Sequence, residues 1–244
     1  DKEKFTVPKS VQDAIPIRRI WQDGVFQFGS KFSKSIRFSD INYAIASKED
    51  KTAMFLNYSE LLNALDTGST TKITINNKRI NRQNLEETIL LPYRDDFLDG
   101  YRAEYNTMLT DKVTDAVSSV VQERYITVST HKKNIEEART FFDRVTNDIT
   151  SRLSKLDSRS EELDATERLR ILHDFYRVGE ETDFRFDLRD SMKKGRSYKD
   201  AICPDSMEFK KDHFVMGDKY GRVLFLKEYA SYIKDSMINE LTEL

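Results

Sequence analysis

The chain has 244 residues, of which 34% are charged and 38% are hydrophobic. No apolar run approaches the roughly 18 residues that a membrane-spanning helix requires, so the sequence predicts a soluble protein. The 40 basic residues nearly balance the 42 acidic ones, and the formal net charge of −2 excludes a global field that would attract nucleic acid or an anionic membrane. The single cysteine, Cys203, excludes an intramolecular disulfide and favours a reducing, cytosolic compartment.

The beginning of the chain is predicted to be an extended arm of about twenty residues, because Pro8 and Pro16 bracket a mixed polar stretch. No Gly/Ser-rich or Pro-rich linker follows, so residues 21–244 are predicted to form one domain. The chain opens on DKEKFTVPKS, without an initiator methionine. We therefore expect it to be a piece of a longer polypeptide.

The first third of the domain predicts a hairpin, a helix and a strand. Apolar and polar residues alternate over residues 24–38 with a break at Gly29, which predicts two paired strands. Ser47 stands where a capping residue is expected, and apolar residues recur at helical spacing until Gly68. The alternation in residues 70–77 predicts a strand with one face on the core and one face in water.

The central part of the chain predicts mainly helices. A short helix is expected at residues 85–91, and residues 125–130 form a β-branched strand. Asn134 and Asp164 are predicted caps of two further amphipathic helices. A long helix between the short helix and that strand carries an apolar stripe made of Phe97, Tyr101, Tyr105, Met108, Val113 and Val117.

The last part of the chain predicts two strands and a helix. DFRFDL, residues 183–188, is expected to be an edge strand, and the apolar run at 223–226 a strand buried on both faces. A final helix is expected to reach Leu244. The alternation of elements predicts an α+β fold with two layers, in which amphipathic helices cover one face of a mixed, largely antiparallel sheet.

A phosphate-binding loop is the first candidate site to test, because Gly217 and Gly221 lie beside Arg222. A P-loop needs four residues between its glycines, followed by Lys and then Ser or Thr. Here three residues separate the glycines, and Val223 has no hydroxyl for a metal ion. The glycines therefore indicate a turn into a strand.

The remaining chemical groups give no catalytic pattern. His131, His173 and His213 are about forty residues apart and lack metal-ligand spacing. Cys203 is interpreted as a small packed thiol, because no base stands next to it in sequence. Carboxylate pairs are frequent, but they fall near predicted helix starts, where acidic side chains are expected.

Two basic runs could contact nucleic acid, and both also suit a solvated surface. The first, KFSKSIRF, interleaves cations with aromatic residues, and the second is MKKGRSYK. The candidate contact residues are Lys31, Lys34, Arg37, Lys193, Lys194 and Arg196. The near-zero net charge favours the solvated surface.

Several long strings resemble a known family. They are INYAIASKEDKTAMFLNYSELLNAL, TTKITINN, KKNIEEART, RLRILHDFYRVGEETDF and YGRVLFLKEYASYIKDSMINEL. The chain resembles, from about Ser10 to Leu244, the amino-terminal region of conjugal-transfer ATPases of type IV secretion systems. The similar proteins are of the VirB/TrbE/CagE type, in the form carried by Gram-positive conjugative elements.

The resemblance implies a non-catalytic domain of a longer ATPase. The family's Walker motifs have no counterpart in these residues, so ATP and Mg²⁺ are implied only for a motor domain outside this chain, and no cofactor is expected here. The implied partners are inner-membrane subunits of the secretion channel, the protein's own motor domain and further copies of the chain. The implied place is the cytoplasm, at the inner face of the membrane. Binding of the transferred DNA strand is the alternative.

Overall fold

The computed structural model describes residues 8–41, 46–65, 68–79, 90–91, 93–94, 96–116, 120–228 and 232. Its helices and antiparallel sheets confirm the predicted α+β class. The predicted helices at 85–91 and at the end of the chain fall outside the described residues, apart from residues 90, 91 and 232.

The main sheet has six strands, all paired antiparallel. Their spatial order is β1-β2-β3-β5-β4, and β6 pairs with the second half of β3. A two-residue turn containing Gly29 at φ 62° joins β2 to β3, which confirms the predicted hairpin. The strands are β1 (Arg19–Ile20), β2 (Phe26–Phe28), β3 (Lys31–Phe38), β4 (Ser69–Arg79), β5 (Val120–His131) and β6 (Ser160–Glu162).

A second, three-stranded sheet follows near the end of the described residues: β7 (Met207–Phe209), β8 (Phe214–Met216) and β9 (Lys219–Gly221). Gly217, at φ 58°, lies in the turn between β8 and β9. A Cβ on Gly221 would lie 2.1 Å from the Phe214 ring. One glycine thus serves a turn and the other a close packing contact.

The described residues contain six α-helices, of which the longer ones were predicted. Ser47, Asn134 and Asp164 each accept a hydrogen bond from the backbone N–H three residues later, as the capping signals indicated. The helices are α1 (Val11–Ala14), α2 (Lys48–Asn63), α3 (Asp99–Ala116), α4 (Ile135–Lys155), α5 (Ala165–Tyr176) and α6 (Leu188–Lys194). Two 3₁₀ turns occur at Glu181–Asp183 and Tyr198–Ala201.

One face of the main sheet packs against α4. The buried residues of α4 are Ala138, Phe141, Phe142, Val145, Thr146, Ile149 and Leu153. All of these except Thr146 form a first apolar cluster with Phe32 and Ile36 of β3, Ile126 and Val128 of β5, and Leu61 of α2. Alternate residues of a strand share a face, so this cluster uses the even-numbered positions of β3 and β5.

The opposite face of the sheet carries a second apolar cluster. Phe26 pairs with Ser33 and therefore points away from Phe32. The cluster contains Ile15, Ile17, Phe26, Ala165, Leu169, Phe184 and Ile202. The sequence indicated one covered face, whereas apolar side chains cover this part of the sheet on both sides. The described end of the predicted arm belongs to the core, because Ile15 and Ile17 are buried.

A buried arginine joins α5 to the hairpin on this second face. Arg168 donates from Nη1 to the carbonyl oxygens of Gly24 (2.7 Å) and Ser33 (2.8 Å), and from Nη2 to Ser33 Oγ (3.0 Å). Its guanidinium lies 4.0 Å from the Phe26 ring centroid. Burial lowers the pKa of Arg168 to about 9, so the group is still charged at neutral pH. Gly24 is needed there, because at φ 79° a Cβ would lie 1.9 Å from the Leu163 oxygen.

Two predicted strands are wrong. Residues 184–187 pair with no strand of the described segments, and Asp187 caps α6. Phe184 is buried in the second cluster, and Phe186 packs against it. The alternating pattern of these residues therefore reflects the packing of individual side chains and not the pairing of strands. The run at 223–226 is not a strand, and Phe225 is 81% exposed. Apolar composition alone predicted its burial, but β9 ends at Gly221 and no described strand continues beside the run.

We predict that Arg168→Met lowers the free energy of unfolding by about 2–4 kcal/mol, because buried carbonyl oxygens would lose their donors. Urea unfolding followed by circular dichroism measures the change. Arg189→Met, at an exposed position of α6, is the matched control and should cost less than about 0.5 kcal/mol. Equal effects of the two substitutions would contradict the assigned role.

Candidate docking surface and the predicted basic residues

Helix α2 has more apolar residues on one side than the core of the domain buries. Leu61 is buried in the first cluster, and Leu65 packs against the same cluster just beyond the helix. Phe55, Tyr58 and Leu62 recur at i, i+3 and i+7, which places them side by side next to the Leu61 side of the helix. All three are exposed, Phe55 by 65%. We call these three residues the α2 stripe.

Helix α3 carries the apolar stripe that the sequence predicted, and that stripe also faces solvent. Tyr101, Tyr105 and Met108 follow one another at i, i+4 and i+7, and Tyr101 is 72% exposed. Asn106, on another side of the helix, is buried and binds the backbone of Leu91 through both its amide atoms. The side chain of Val113 and all of Val117 lie outside the described residues.

Strand β4 is the edge of the main sheet among the described strands. It pairs with β5 over eleven residues, and no described strand lies on its other side. Ile73 pairs with Ile126, so Ile73 and Ile75 lie on the α4 side of the sheet, yet each is at least 40% exposed. The face expected on the core is therefore only partly covered. A sheet edge with exposed apolar side chains is a feature of surfaces that bind other chains.

The first basic run is divided between the two faces of β3. Lys34 faces the first cluster, is 7% exposed, and forms a salt bridge of 2.5 Å with Glu162 of β6. Arg37, on the other face, donates to Glu161 at 2.8 Å, and this hydrogen bond raises its pKa. Lys31 begins the strand beside the hairpin turn. The structure does not bring the three cations together as one phosphate-binding row.

The second basic run lies at the end of α6. Lys194 pairs with Asp190 one turn earlier at 2.8 Å. Lys193 and Arg196 are exposed, and Gly195 ends the helix in the left-handed conformation at φ 63°. Basic side chains in the last turn are expected, because they complement the helix dipole. The nucleic-acid contact of these residues stays a prediction.

A network of titratable side chains lies on the sheet face opposite α4. Tyr125 donates to Glu123 at 2.5 Å, and Lys78 lies 3.1 Å from Glu123 and 3.7 Å from Asp174. Burial and the hydrogen bond to Glu123 raise the pKa of Tyr125. Asp174 Oδ1 and His173 Nδ1 are buried 3.6 Å apart, beyond hydrogen-bond reach, and neither has a partner among the described residues.

Sequence reasoning missed this network and the contacts of Arg168, because the residues involved come together only when α5 packs on the sheet.

The described residues contain no group of three or more metal-ligating side chains, so the histidines are not gathered there as a metal site. His131 contacts Ser30, His173 packs on Phe184, and His213 contacts Asp212. Cys203 packs against the second cluster, and burial raises the pKa of its thiol, which agrees with its interpretation as a packed side chain.

Comparison with known proteins adds no family assignment. No protein-family model matches the chain, and the curated proteins contain no significant match. Among the helices of the described segments, none combines the length and the apolar character that crossing a bilayer demands. The resemblance to conjugal-transfer ATPases therefore rests on the strings quoted above.

We predict that the two sides of α2 respond differently to truncation. Leu61→Ala should lower the free energy of unfolding by about 2–4 kcal/mol, because it opens a cavity in the first cluster. Phe55→Ser should change it by less than about 0.5 kcal/mol, because the ring is mostly in solvent. Urea unfolding of both variants measures the difference. A large loss from Phe55→Ser would show that the α2 stripe stabilises the fold.

Proposed function

We propose that this chain is a non-catalytic docking and assembly domain of a conjugative type IV secretion ATPase. It links a C-terminal motor domain to inner-membrane subunits of the channel during DNA transfer. Its place is the cytoplasm, at the inner face of the membrane. ATP and Mg²⁺ belong to the motor domain, and this domain itself needs no cofactor.

The observation that carries the proposal is the exposed α2 stripe. A helix in a folded domain normally buries its apolar face, whereas α2 buries the Leu61 side and leaves Phe55, Tyr58 and Leu62 in solvent. Contiguous exposed apolar residues mark interaction sites. The stripe also lies within the first string that resembles the ATPase family, which supports a channel subunit as its occupant.

A docking role also needs a body that moves as a unit. The α2 stripe is attached to the first cluster through Leu61, and that cluster includes β3, β5 and α4. A load applied at the stripe is therefore carried by packed side chains and by the antiparallel ladder of β3 and β5. Such a body can hold a cycling motor against a fixed channel.

Nucleic-acid binding remains the alternative function, and the described contacts favour it less. Two of its candidate cations, Lys34 and Arg37, are engaged with glutamates, and Lys194 is engaged with an aspartate. A cation paired with a carboxylate must lose that partner before it can neutralise a phosphate. Docking to a protein partner does not require these salt bridges to break.

The test measures binding of the purified chain to the small inner-membrane subunits of the channel, reconstituted in nanodiscs. The double variant Phe55→Ser/Leu62→Ser should weaken binding at least about tenfold, because truncating apolar anchors costs more than about 1.4 kcal/mol. Leu56→Ser is the matched control, since Leu56 is equally on α2 and exposed but on a different side of the helix. Biolayer interferometry gives the dissociation constants.

Two results would overturn the proposal. The first is the absence of measurable association between the unaltered chain and any inner-membrane subunit. The second is saturable ATP turnover by the chain alone, since a docking domain has no catalytic role. Unchanged binding of the double variant would leave docking intact but move it away from the α2 stripe.

A further inference from the structure

A concave site lies where the hairpin turn meets the N-terminal segment and the second 3₁₀ turn. Its volume is about 690 Å³. The apolar residues Ile15, Pro16, Ile17 and Phe28 form part of the wall, and of these Pro16 and Phe28 are at least partly exposed. Arg18, Lys31, His131 and Lys199 also line it, together with Asp13. Its size falls within the range of about 300–1,000 Å³ that is typical of small-molecule sites.

The chain builds this cavity from segments that are far apart in sequence. Lys199 Nζ donates to the carbonyl oxygens of Gln12 (2.7 Å) and Ile15 (2.8 Å). Tyr198 Oη donates to the carbonyl oxygen of Ile17 at 2.8 Å. The isoleucines at 15 and 17 are buried in the second cluster. These contacts fix the wall that carries Arg18 against the residues around position 199.

The charges of the cavity favour an anion. Three permanent cations, Arg18, Lys31 and Lys199, face it with one carboxylate, Asp13. Within the described segments, none of the three forms a salt bridge. Lys199 has three N–H donors, of which the two carbonyl oxygens take two. The cavity is thus lined by more cationic than anionic side chains.

We propose that this cavity binds a phosphorylated small molecule, with the phosphate at Arg18, Lys31 and Lys199 and an apolar body against Pro16 and Phe28. A phosphate dianion matches an excess of cations, and charge-assisted hydrogen bonds to Arg and Lys are the usual means of holding it. This site is independent of the docking function and of the α2 stripe.

A small ligand fits the surroundings better than a nucleic-acid strand. A strand needs a track of cations that follows successive phosphates. The next cations along β3 are Lys34 and Arg37, and both are paired with glutamates. Lys34 and Arg37 therefore do not extend the cationic lining of the cavity along β3.

The experiment titrates the full chain with phenyl phosphate and follows the backbone amide shifts by NMR. The salt concentration is about 150 mM, at which exposed charges more than about 8 Å apart are largely screened. Saturable shifts are expected at Gly29, Ser30 and His131. Arg18→Gln and Lys31→Gln should each weaken binding about tenfold, the effect of one lost charge-assisted hydrogen bond. Lys193→Gln, at an exposed lysine outside the cavity, is the matched control and should bind normally.

Three further titrations identify what is recognised. Inorganic phosphate should bind at the same amides but more weakly, because it lacks the apolar body, and benzyl alcohol should give no saturable shift. A single-stranded thymidine oligonucleotide should not displace phenyl phosphate. The proposal is overturned if phenyl phosphate gives no saturable shift at millimolar concentration, if the cavity variants bind like the control, or if the oligonucleotide binds these residues more tightly than phenyl phosphate does.

Discussion

The buried guanidinium of Arg168 is the contact on which the second half of the core depends. It donates to the carbonyl oxygen of Gly24, in the turn between β1 and β2, and to that of Ser33 on β3, and so holds α5 against both. The charge has no carboxylate partner among the described ion pairs and is compensated by oxygen dipoles and the Phe26 ring. Its desolvation is costly, so the position tolerates neither a shorter cation nor a displaced hairpin.

The consequence of this contact is a sheet that is packed on both faces. With α5 held on the hairpin, Leu169 and Phe26 create an apolar surface that Ile15, Ile17 and Ile202 complete. Lys199 and Tyr198 then tie the N-terminal segment to the 3₁₀ turn through backbone carbonyl oxygens. The cavity at the hairpin turn is thus a product of the second cluster. It exists because three distant segments converge on α5.

The elements that the sequence predicted are those whose signals are local. The caps at Ser47, Asn134 and Asp164 and the turn at Gly29 depend on residues within about four positions, so spacing alone located them. The runs at 183–188 and 223–226 were mispredicted because a strand needs a partner that local composition does not specify. Arg168 gave no signal, since a helix pattern does not reveal which cation will be buried.

The same limit applies to the candidate sites. The cations of the basic run at residues 31–38 do not form one site. Strand alternation places Lys34 and Arg37 on opposite faces of the sheet, and β6 supplies a glutamate to each. Only Lys31 lines the cavity. Of its companions there, Arg18 belongs to the segment predicted to be an extended arm, and Lys199 is the last residue of the second basic run. Periodicity predicted the apolar residues of α2 but not which of them the core would leave in solvent.

The two proposed surfaces lie on different parts of the sheet, and this separation determines how they could influence each other. The α2 stripe is connected through Leu61 to the first cluster, while the cavity is connected through Ile15 and Ile17 to the second. The shared elements are β3 and β5, whose eight-residue ladder runs from the pair Lys31–His131, at the cavity, to Phe38–Arg124. A ligand that moves the hairpin turn must shift this ladder to reach α2. Because the ladder is packed on both faces, small displacements are resisted, and the two surfaces should act independently.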